Sequence, residues 1–378
     1  MPNGTGPCFQ WLSAGDEIFP AMLTAIDAAA QSVCLEVYIF TDSPLGREFA
    51  AALTRARQRG ARVRVLVDAV GSILLPGNFW AGLRRAGGEV RLFNPVGLRR
   101  LAIRNHRKLL VCDGRTAFVG GFNIAPEYEG DGVLRGWCDV GLRIEGPQAG
   151  ELERSFDEMF ERAEFRHKRF LLLRRTRAKK VVALPKEKFL FSGPGLGRNP
   201  FKRALHRDLK HARQVRMIIA YFLPPWRLRR DLLRAARGGG KVQLILAGKS
   251  DVLLSLLAAR SLYRRFLNGN VEIYEYQPQI LHAKLIIVDH VVYLGSSNLD
   301  TRSLRINYEL MVRFEDSSIA RQAREIFSNT LKHCRQVTAA EWRQSRTLWR
   351  RLKQRWAYFL LNRIDPYVAR RQWRGLPD

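Results

Sequence analysis

This sequence predicts an α/β fold made of two similar α-β-α repeats, with a helical tail after the second. Three observations carry that reading. A strand–helix–strand pattern occurs twice, about 180 residues apart. A His-x-Lys-x4-Asp stretch stands at the same place in each copy. Beyond residue 335 the chain matches nothing in its first half and shows an apolar helical stripe. The expected divisions are 1–165 for the first repeat, 166–188 for a basic linker, 189–335 for the second repeat and 336–378 for the tail.

Ser32–Phe40, SVCLEVYIF, reads as a buried strand. The amphipathic stretch LGREFAAALTRARQ follows as a helix, Gly60 stops it, and Val63–Val67 is the next strand. Gly87–Pro95 adds another. The second copy runs QVRMIIAYFLPP, RLRRDLLRAAR, a glycine stop, KVQLILAG and then Asn268–Pro278. Strands that alternate with helices build α/β layers. The two copies meet in Arg166–Lys188, which is dense in Lys and Arg.

With 378 residues the chain can bury two cores, and its 46% hydrophobic content excludes a disordered protein. The net charge of +29 points to an anionic partner: nucleic acid, an acidic membrane surface or a phosphorylated substrate. Cys8, Cys34, Cys112, Cys138 and Cys334 are scattered, with no metal-ligand or disulfide spacing. A reducing compartment and no metal are expected. The N-terminal MPNGTGPCFQWLSAGDE has no signal-peptide pattern, and no apolar run approaches the roughly 18 residues of a spanning helix. Work at a membrane is therefore expected to be peripheral.

The chemistry concentrates in two stretches. NHRKLLVCDGRTAFVGGFN (Asn105–Asn123) holds His106, Lys108 and Asp113, and LHAKLIIVDHVVYLGSSN (Leu281–Asn298) holds His282, Lys284 and Asp289. His and Lys two apart in a strand share a face. Packed face to face, the copies would gather two His, two Lys, Asn123 and Asn298. Lysines and amides can bind phosphate oxygens, and two imidazoles can divide nucleophile and acid/base work. A single His-x-Lys pair is usually solvated surface, but a duplicated one inside a duplicated fold pattern is not readily chance.

These stretches resemble the paired H-x-K-x(4)-D-x(6)-G-[SG]-x-N signature of the phospholipase D superfamily. The resemblance covers nearly all of the chain up to about residue 335. It implies two repeats with the active site at their interface and no cofactor. It implies that one of His106 and His282 attacks phosphorus to form a phosphohistidine, while the other serves the leaving and entering alcohols. We carry over His106, Lys108, Asp113, His282, Lys284 and Asp289 as the catalytic motif set, with both aspartates expected to tie strand ends to backbone. Asn123, Asn298 and Ser296 are the expected phosphate-binding groups. Asp139, in the first half, and Glu309, in the second, are expected to orient the histidine of their own half. Gly121 stands where the signature usually has Ser.

Within that superfamily YIFTDSPLGREFAAAL, FVGGFNIAPEY, LAGKSD and GSSNLDTRSLRINYEL resemble bacterial cardiolipin synthases. The resemblance implies transfer of a phosphatidyl group between phospholipids, with phosphatidylglycerol as donor, at the cytoplasmic face of a bacterial membrane. A hydrolase or a nuclease of the same superfamily is the alternative, although the chain shows no basic–aromatic groove of the kind nucleic acid needs. Tyr38, Phe40, Tyr221, Phe222 and Leu223 are candidates to line acyl chains or, individually, to be core. Lys249 and Ser250 follow a strand where phosphate loops occur. Tyr128 borders the motif without an assigned role. In the tail, Leu348, Leu352, Trp356, Phe359, Leu360 and Ile364 recur at helical spacing among Arg346, Arg350, Arg351, Lys353, Arg355 and Arg363. Trp349, Tyr358 and Trp373 suit a headgroup boundary, and Pro366 should end the helix. The expectation is an interfacial helix on anionic lipid; a helix packed on the second repeat is the alternative.

Overall fold

The computed structural model describes residues 8–95, 103–163, 179–185, 187–195, 197–345 and 347–364. Strands β1 Cys8–Leu12, β2 Ser32–Val37, β3 Arg62–Asp68, β4 Glu89–Phe93, β5 Leu109–Cys112, β6 Thr116–Gly120 and β7 Gly141–Glu145 form one sheet, in the order β1-β7-β6-β5-β2-β3-β4. Strands β8 Lys180–Ala183, β9 Glu187–Ser192, β10 Gln214–Ile219, β11 Lys241–Ala247, β12 Val271–Tyr276, β13 Lys284–Val288, β14 Val291–Gly295, β15 Glu309–Glu315 and β16 Cys334–Val337 form the other. Its order is β16-β12-β11-β10-β13-β14-β15-β9-β8. The parallel trio β2–β3–β4 matches β10–β11–β12, and the antiparallel run β5–β6–β7–β1 matches β13–β14–β15–β9. Strand order is thus duplicated as the sequence predicts.

One expectation needs correction. The basic stretch 166–188 is not a linker throughout. Residues 166–178 lie outside the described residues, but Lys180–Ala183 and Glu187–Ser192 are a hairpin on the edge of the second sheet. The pairing of β9 with β15 buries Phe189, Leu190 and Phe191, an apolar run whose burial outweighs the charge of its surroundings. The second unit therefore begins at Lys180.

Each sheet has a buried cluster of its own, and a third is shared between them. Val119, Leu142, Ile144 and Phe156 from the first half pack in the same buried cluster as Phe189, Val292, Leu294 and Phe314 from the second. Phe9 meets Phe314 edge-on at 5.0 Å. A common core fixes the halves against each other, so groups from both can form one preorganised site.

The tail takes the alternative expected for it, a helix packed on the second repeat. A capping box of Thr338 and Glu341 starts Ala339–Gln344, and Thr347 caps Leu348–Phe359. This last helix packs on Leu253–Leu267 of the second repeat through a seam of Gln354, Ala357 and Leu361. The small Ala357 is 1% exposed and lets the helices approach. The expected stripe turns outward instead: Leu348 is 81% exposed, Trp349 63% and Trp356 57%. Arg346, Pro366 and Trp373 lie outside the described residues. Among the described residues no helix is long and apolar enough to cross a membrane.

Candidate active site

His106 and Lys108 lead into β5, and His282 and Lys284 lead into β13. Each lead-in pairs with the opposite half. Asn105 bridges Tyr308, with His106 N donating to Tyr308 O at 3.0 Å. Cys138 bridges Leu281, with His282 N donating to Cys138 O at 2.8 Å. The residue after each bridging partner is a carboxylate. Glu309 Oε2 therefore lies 3.1 Å from His106 Nδ1, and Asp139 Oδ2 lies 2.6 Å from His282 Nδ1.

This corrects the expectation that each carboxylate serves its own half. The pairs are crossed, because the backbone bridges that carry them run between halves. A carboxylate at Nδ1 holds that nitrogen's proton and leaves Nε2 facing the site. Both carboxylates are fully buried. Burial alone would raise the Asp139 carboxyl, but the charges of His282 and Lys284, with hydrogen bonds from His282 and the Val140 backbone, hold it below its usual range.

The lysines sit over the histidines. Lys108 Nζ donates to His106 O at 2.8 Å and lies 5.3 Å from the centre of the Tyr38 ring. Lys284 Nζ lies 3.0 Å from Nδ1 and 3.2 Å from Nε2 of His282 and donates to the His282 carbonyl. Burial, then the opposing lysine, brings the Lys108 ammonium down to about 7. Burial brings Lys284 to about 8, against the support of Asp139 and Glu309. His282 is brought to about 3 by burial and Lys284, and His106 is lowered by burial and Lys108. Each lysine also acts on the histidine of the other half, so the two motifs form a single electrostatic unit. At neutral pH both imidazoles are unprotonated and an anion between the lysines would be stabilised.

That arrangement predicts a pH dependence. As pH rises from 7 to 9 the empty site loses ammonium charge. We expect affinity for tungstate, a phosphate mimic, to fall over this range, by up to about tenfold per pH unit for each linked proton. Isothermal titration at several pH values checks it; an affinity that stays flat to pH 9 would contradict the lysine assignment.

The other expected residues divide. Asn123 accepts from Ile39 N at 3.0 Å and donates from Nδ2 to Tyr128 OH at 2.6 Å. Asn298 accepts from Tyr221 N at 3.4 Å. Both amides thus hang beside the site from its surrounding loops. Ser296 does something other than expected: its hydroxyl donates to Glu309 Oε2 and accepts from Leu310 N, so it holds the carboxylate and is not free for phosphate. Among the described residues the first half has no such contact. A Cβ on Gly121 would meet Asp139 Oδ1 at 2.3 Å, so even Ala there must displace the carboxylate.

Asp113 and Asp289 leave the catalytic set. Asp113 accepts from the backbone of Ala30, Gln31 and Ser32, and Asp289 from Arg213 and Gln214, at the far ends of the strands. Both take the left-handed conformation (φ 54° and 53°) that a hairpin turn demands and that Asp tolerates. Lys249 turns its ammonium to Pro278 O, and Ser250 bonds within its own loop. Neither reaches the histidines. Phe40 and Phe222 are core residues, packed on Trp80 and Phe266, and Leu223 is buried in a small cluster beneath the tail helix. Tyr38 and Tyr221 do face the site, with rings 5.1 Å from His106 and 6.5 Å from His282.

Two contributors were given no role by the sequence. Tyr128 OH accepts from Asn123 and lies 3.4 Å from His282 Nε2, which leaves its proton to point at that nitrogen. Nothing local in PEY marks this. Glu36 is fully buried under the His106 lead-in, accepting from Asn105 Nδ2 at 2.7 Å and pairing with Arg107 at 3.0 Å. A lone acid in the apolar run CLEVYIF was a legible signal.

Residues 22–161 and 205–331 match the family model described as cardiolipin synthase, phospholipase D-like domain. The chain belongs to this family. Cardiolipin synthase B of Salmonella typhi is 31% identical over 372 residues, covering 96% of this chain and 90% of that one. The major cardiolipin synthase ClsA of Bacillus subtilis is 31% identical over 350 residues, covering 91% and 72%. The crystal structure of phosphatidylserine synthase from Haemophilus influenzae superposes with a TM-score of 0.73 over 96% of this chain and 94% of that one, at 16% identity, a likeness of fold. As a member of the cardiolipin synthase family the chain is a phosphatidyltransferase of the phospholipase D superfamily.

Proposed function

We propose that this enzyme makes cardiolipin by moving the phosphatidyl group of one phosphatidylglycerol to the free glycerol hydroxyl of another, through a phosphohistidine. The observation that carries the reading is the crossed pair of buried His–carboxylate units flanked by two lysines. The names of the relatives supply the product, cardiolipin.

His106 is the nucleophile in this scheme. It is the more exposed histidine, with a side chain 12% accessible against 5% for His282, and its Nε2 has no protein partner among the described residues. Its Nε2 lone pair attacks phosphorus, and the bond from phosphorus to the glycerol oxygen breaks. His282 Nε2 gives its proton to that oxygen and glycerol leaves. The acceptor hydroxyl then attacks the phosphohistidine, its proton returns to His282 Nε2, and the P–N bond breaks. His282 needs a proton at the start. In the empty site burial and the lysines oppose it; the diester anion between the lysines offsets their charge and lets it load. Lys108 and Lys284 stabilise the charge that develops on the equatorial oxygens.

The test is product analysis with phosphatidylglycerol vesicles. Cardiolipin and free glycerol in equal amounts are expected. Phosphatidic acid as the main lipid product would overturn transfer in favour of hydrolysis, and cleavage of DNA or RNA without lipid turnover would overturn both. The lysines neutralise phosphate without metal, so exhaustive chelation should leave the rate unchanged; loss that one defined metal restores would refute this.

The membrane contact of the proposed peripheral enzyme lies on the site's own side. Ile73 and Leu74, 61% and 90% exposed, follow Ser72, whose hydroxyl donates to Tyr38 O beside His106. In the second half Leu253 and Leu254, 64% and 44% exposed, follow Asp251, which accepts from Tyr221 OH beside His282. These exposed residues and the outward stripe of Leu348–Phe359 are the apolar contacts of this proposal, and Arg350, Arg351, Lys353 and Arg355 supply charge for anionic lipid. Changing Leu348, Trp349, Leu352 and Trp356 together to Ser leaves the packed seam intact. We expect sedimentation with phosphatidylglycerol vesicles to fall by about tenfold or more, with the melting temperature retained, since each buried apolar side chain contributes about 1.5–3 kcal/mol when fully inserted. Undiminished sedimentation would rule out this docking face.

A further inference from the structure

A second cavity, of about 510 Å³, opens beside the short helix Thr301–Arg305. None of the paired His, Lys or Asn groups lines it. Its apolar floor is Ile103, Leu228, Leu304 and Ile306, all nine-tenths buried or more. Its walls carry Lys179, Arg198, Lys202, Arg203, Arg227 and Arg305, and no acid among the described lining residues.

A cationic cluster in a folded protein normally carries its own counterions. This one does not. Lys179 donates to the carbonyls of Gly195 and Gly197. Among the described residues the side-chain nitrogens of Arg198, Lys202, Arg203, Arg227 and Arg305 take no protein acceptor, although carboxylates pair with many arginines elsewhere in the chain, such as Arg104, Arg260 and Arg313. The half-buried Lys202 is lowered by its burial and then by Arg305 and Arg227, so the cluster repels itself. Repulsion around an apolar floor is relieved by an anion that brings apolar surface with it. The wall also reaches the outer helix: Thr301 Oγ1 lies 3.5 Å from Asn362 Oδ1, at the end of the stripe that faces outward.

We propose that this cavity is a second phosphate-ester site, separate from the His/Lys centre, which takes the phosphate of an anionic phospholipid headgroup with the first carbons of its glyceride on the apolar floor. The lipid as source rests on the function proposed above; the phosphate chemistry does not. Phosphate oxygens would accept from Lys202, Arg227 and Arg305, and charge-assisted donors of this kind are the strong ones.

The test is amine-directed footprinting of the full chain by mass spectrometry, reading the labelling rate of Lys202. The probes are inorganic phosphate, short-chain dihexanoylphosphatidylglycerol and, as a zwitterionic control, dihexanoylphosphatidylcholine. Protection of Lys202 by phosphatidylglycerol alone supports the site and assigns it to lipid. Protection by inorganic phosphate as well supports it and places recognition in the phosphate. Protection by inorganic phosphate alone would support the anion site but overturn the lipid source. In Arg227→Ala and Arg305→Ala, the concentration for half protection should rise by about tenfold or more, the effect of losing a charge-assisted hydrogen bond. No protection by either anion, or equal protection by phosphatidylcholine, would overturn the proposal. The readout does not require turnover, so it stands if the enzyme proves to be a hydrolase. If a variant fails to fold, the footprint of the unaltered chain still decides.

Discussion

Replacing His106 or His282 by alanine should leave a folded enzyme without measurable transfer. A positioned general acid/base contributes about 10²–10⁴-fold, and loss of a nucleophile costs more. The two variants should differ in one respect. A phosphodiester with a nitrophenolate leaving group needs no proton as it departs. His282→Ala keeps the His106 Nε2 nucleophile and should still release nitrophenolate in a burst that matches the enzyme concentration, then stall. His106→Ala should release none. Residual phosphatidyl transfer at a few per cent in either folded variant would sink the two-histidine mechanism, and a burst from His106→Ala alone would reverse the roles.

Asp139→Asn should cost up to about 10⁴-fold, the loss known when a buried carboxylate behind a catalytic imidazole loses its charge. The asparagine still fills the space 2.6 Å from His282 Nδ1. What it removes is the charge that supports both His282 and Lys284 in their protonated forms. The sign follows. Both pKa values fall further, so the alkaline limb of the kcat/KM profile, to which Lys284 contributes in the empty site, should move to lower pH. A purely structural role would lower activity without moving that limb. Gly121→Ala offers a second route to the same site, since its methyl must push Asp139 away from His282 while the charge stays. It should reduce kcat with a smaller shift of the limb. An Asp139→Asn enzyme with normal kcat would remove the carboxylate from the mechanism.

Glu309 is not an equal of Asp139, although both halves carry the same motif. The Ser296 hydroxyl and the His106 ring share one Glu309 oxygen, whereas Asp139 has His282, its own backbone at Val140 and the tight wall of Gly121. The two motifs share their His, Lys, Asp and Asn, and Ser296 against Gly121 gives their carboxylates different surroundings. That inequality accompanies the difference in exposure between the two histidines.

The sequence alone determined the duplicated α/β pattern, the strands that carry the motifs, and the identity of both histidines, both lysines and both asparagines. It also placed Asp113 and Asp289 as backbone ties. These are local properties. Strand and helix periodicity, glycine stops and a His-x-Lys spacing are written within a few residues and are not altered by what lies across the molecule. The tertiary structure decided everything that depends on contact between the halves. Glu309 reaches His106 from 203 residues away and Asp139 reaches His282 from 143, because bridges at Tyr308 and Cys138 cross the interface. It likewise set Ser296 on Glu309, aimed Tyr128 at His282, and folded the end of the expected linker into the second sheet. In the tail the apolar stripe was legible but its direction was not. An amphipathic helix has one obvious face for burial, yet the seam of Ala357 and Gln354 won, because the surface of Leu253–Leu267 fits a small residue there and leaves the larger side chains outside. Which of several faces a helix buries is settled by the shape of its neighbour, and a sequence read alone has no neighbour.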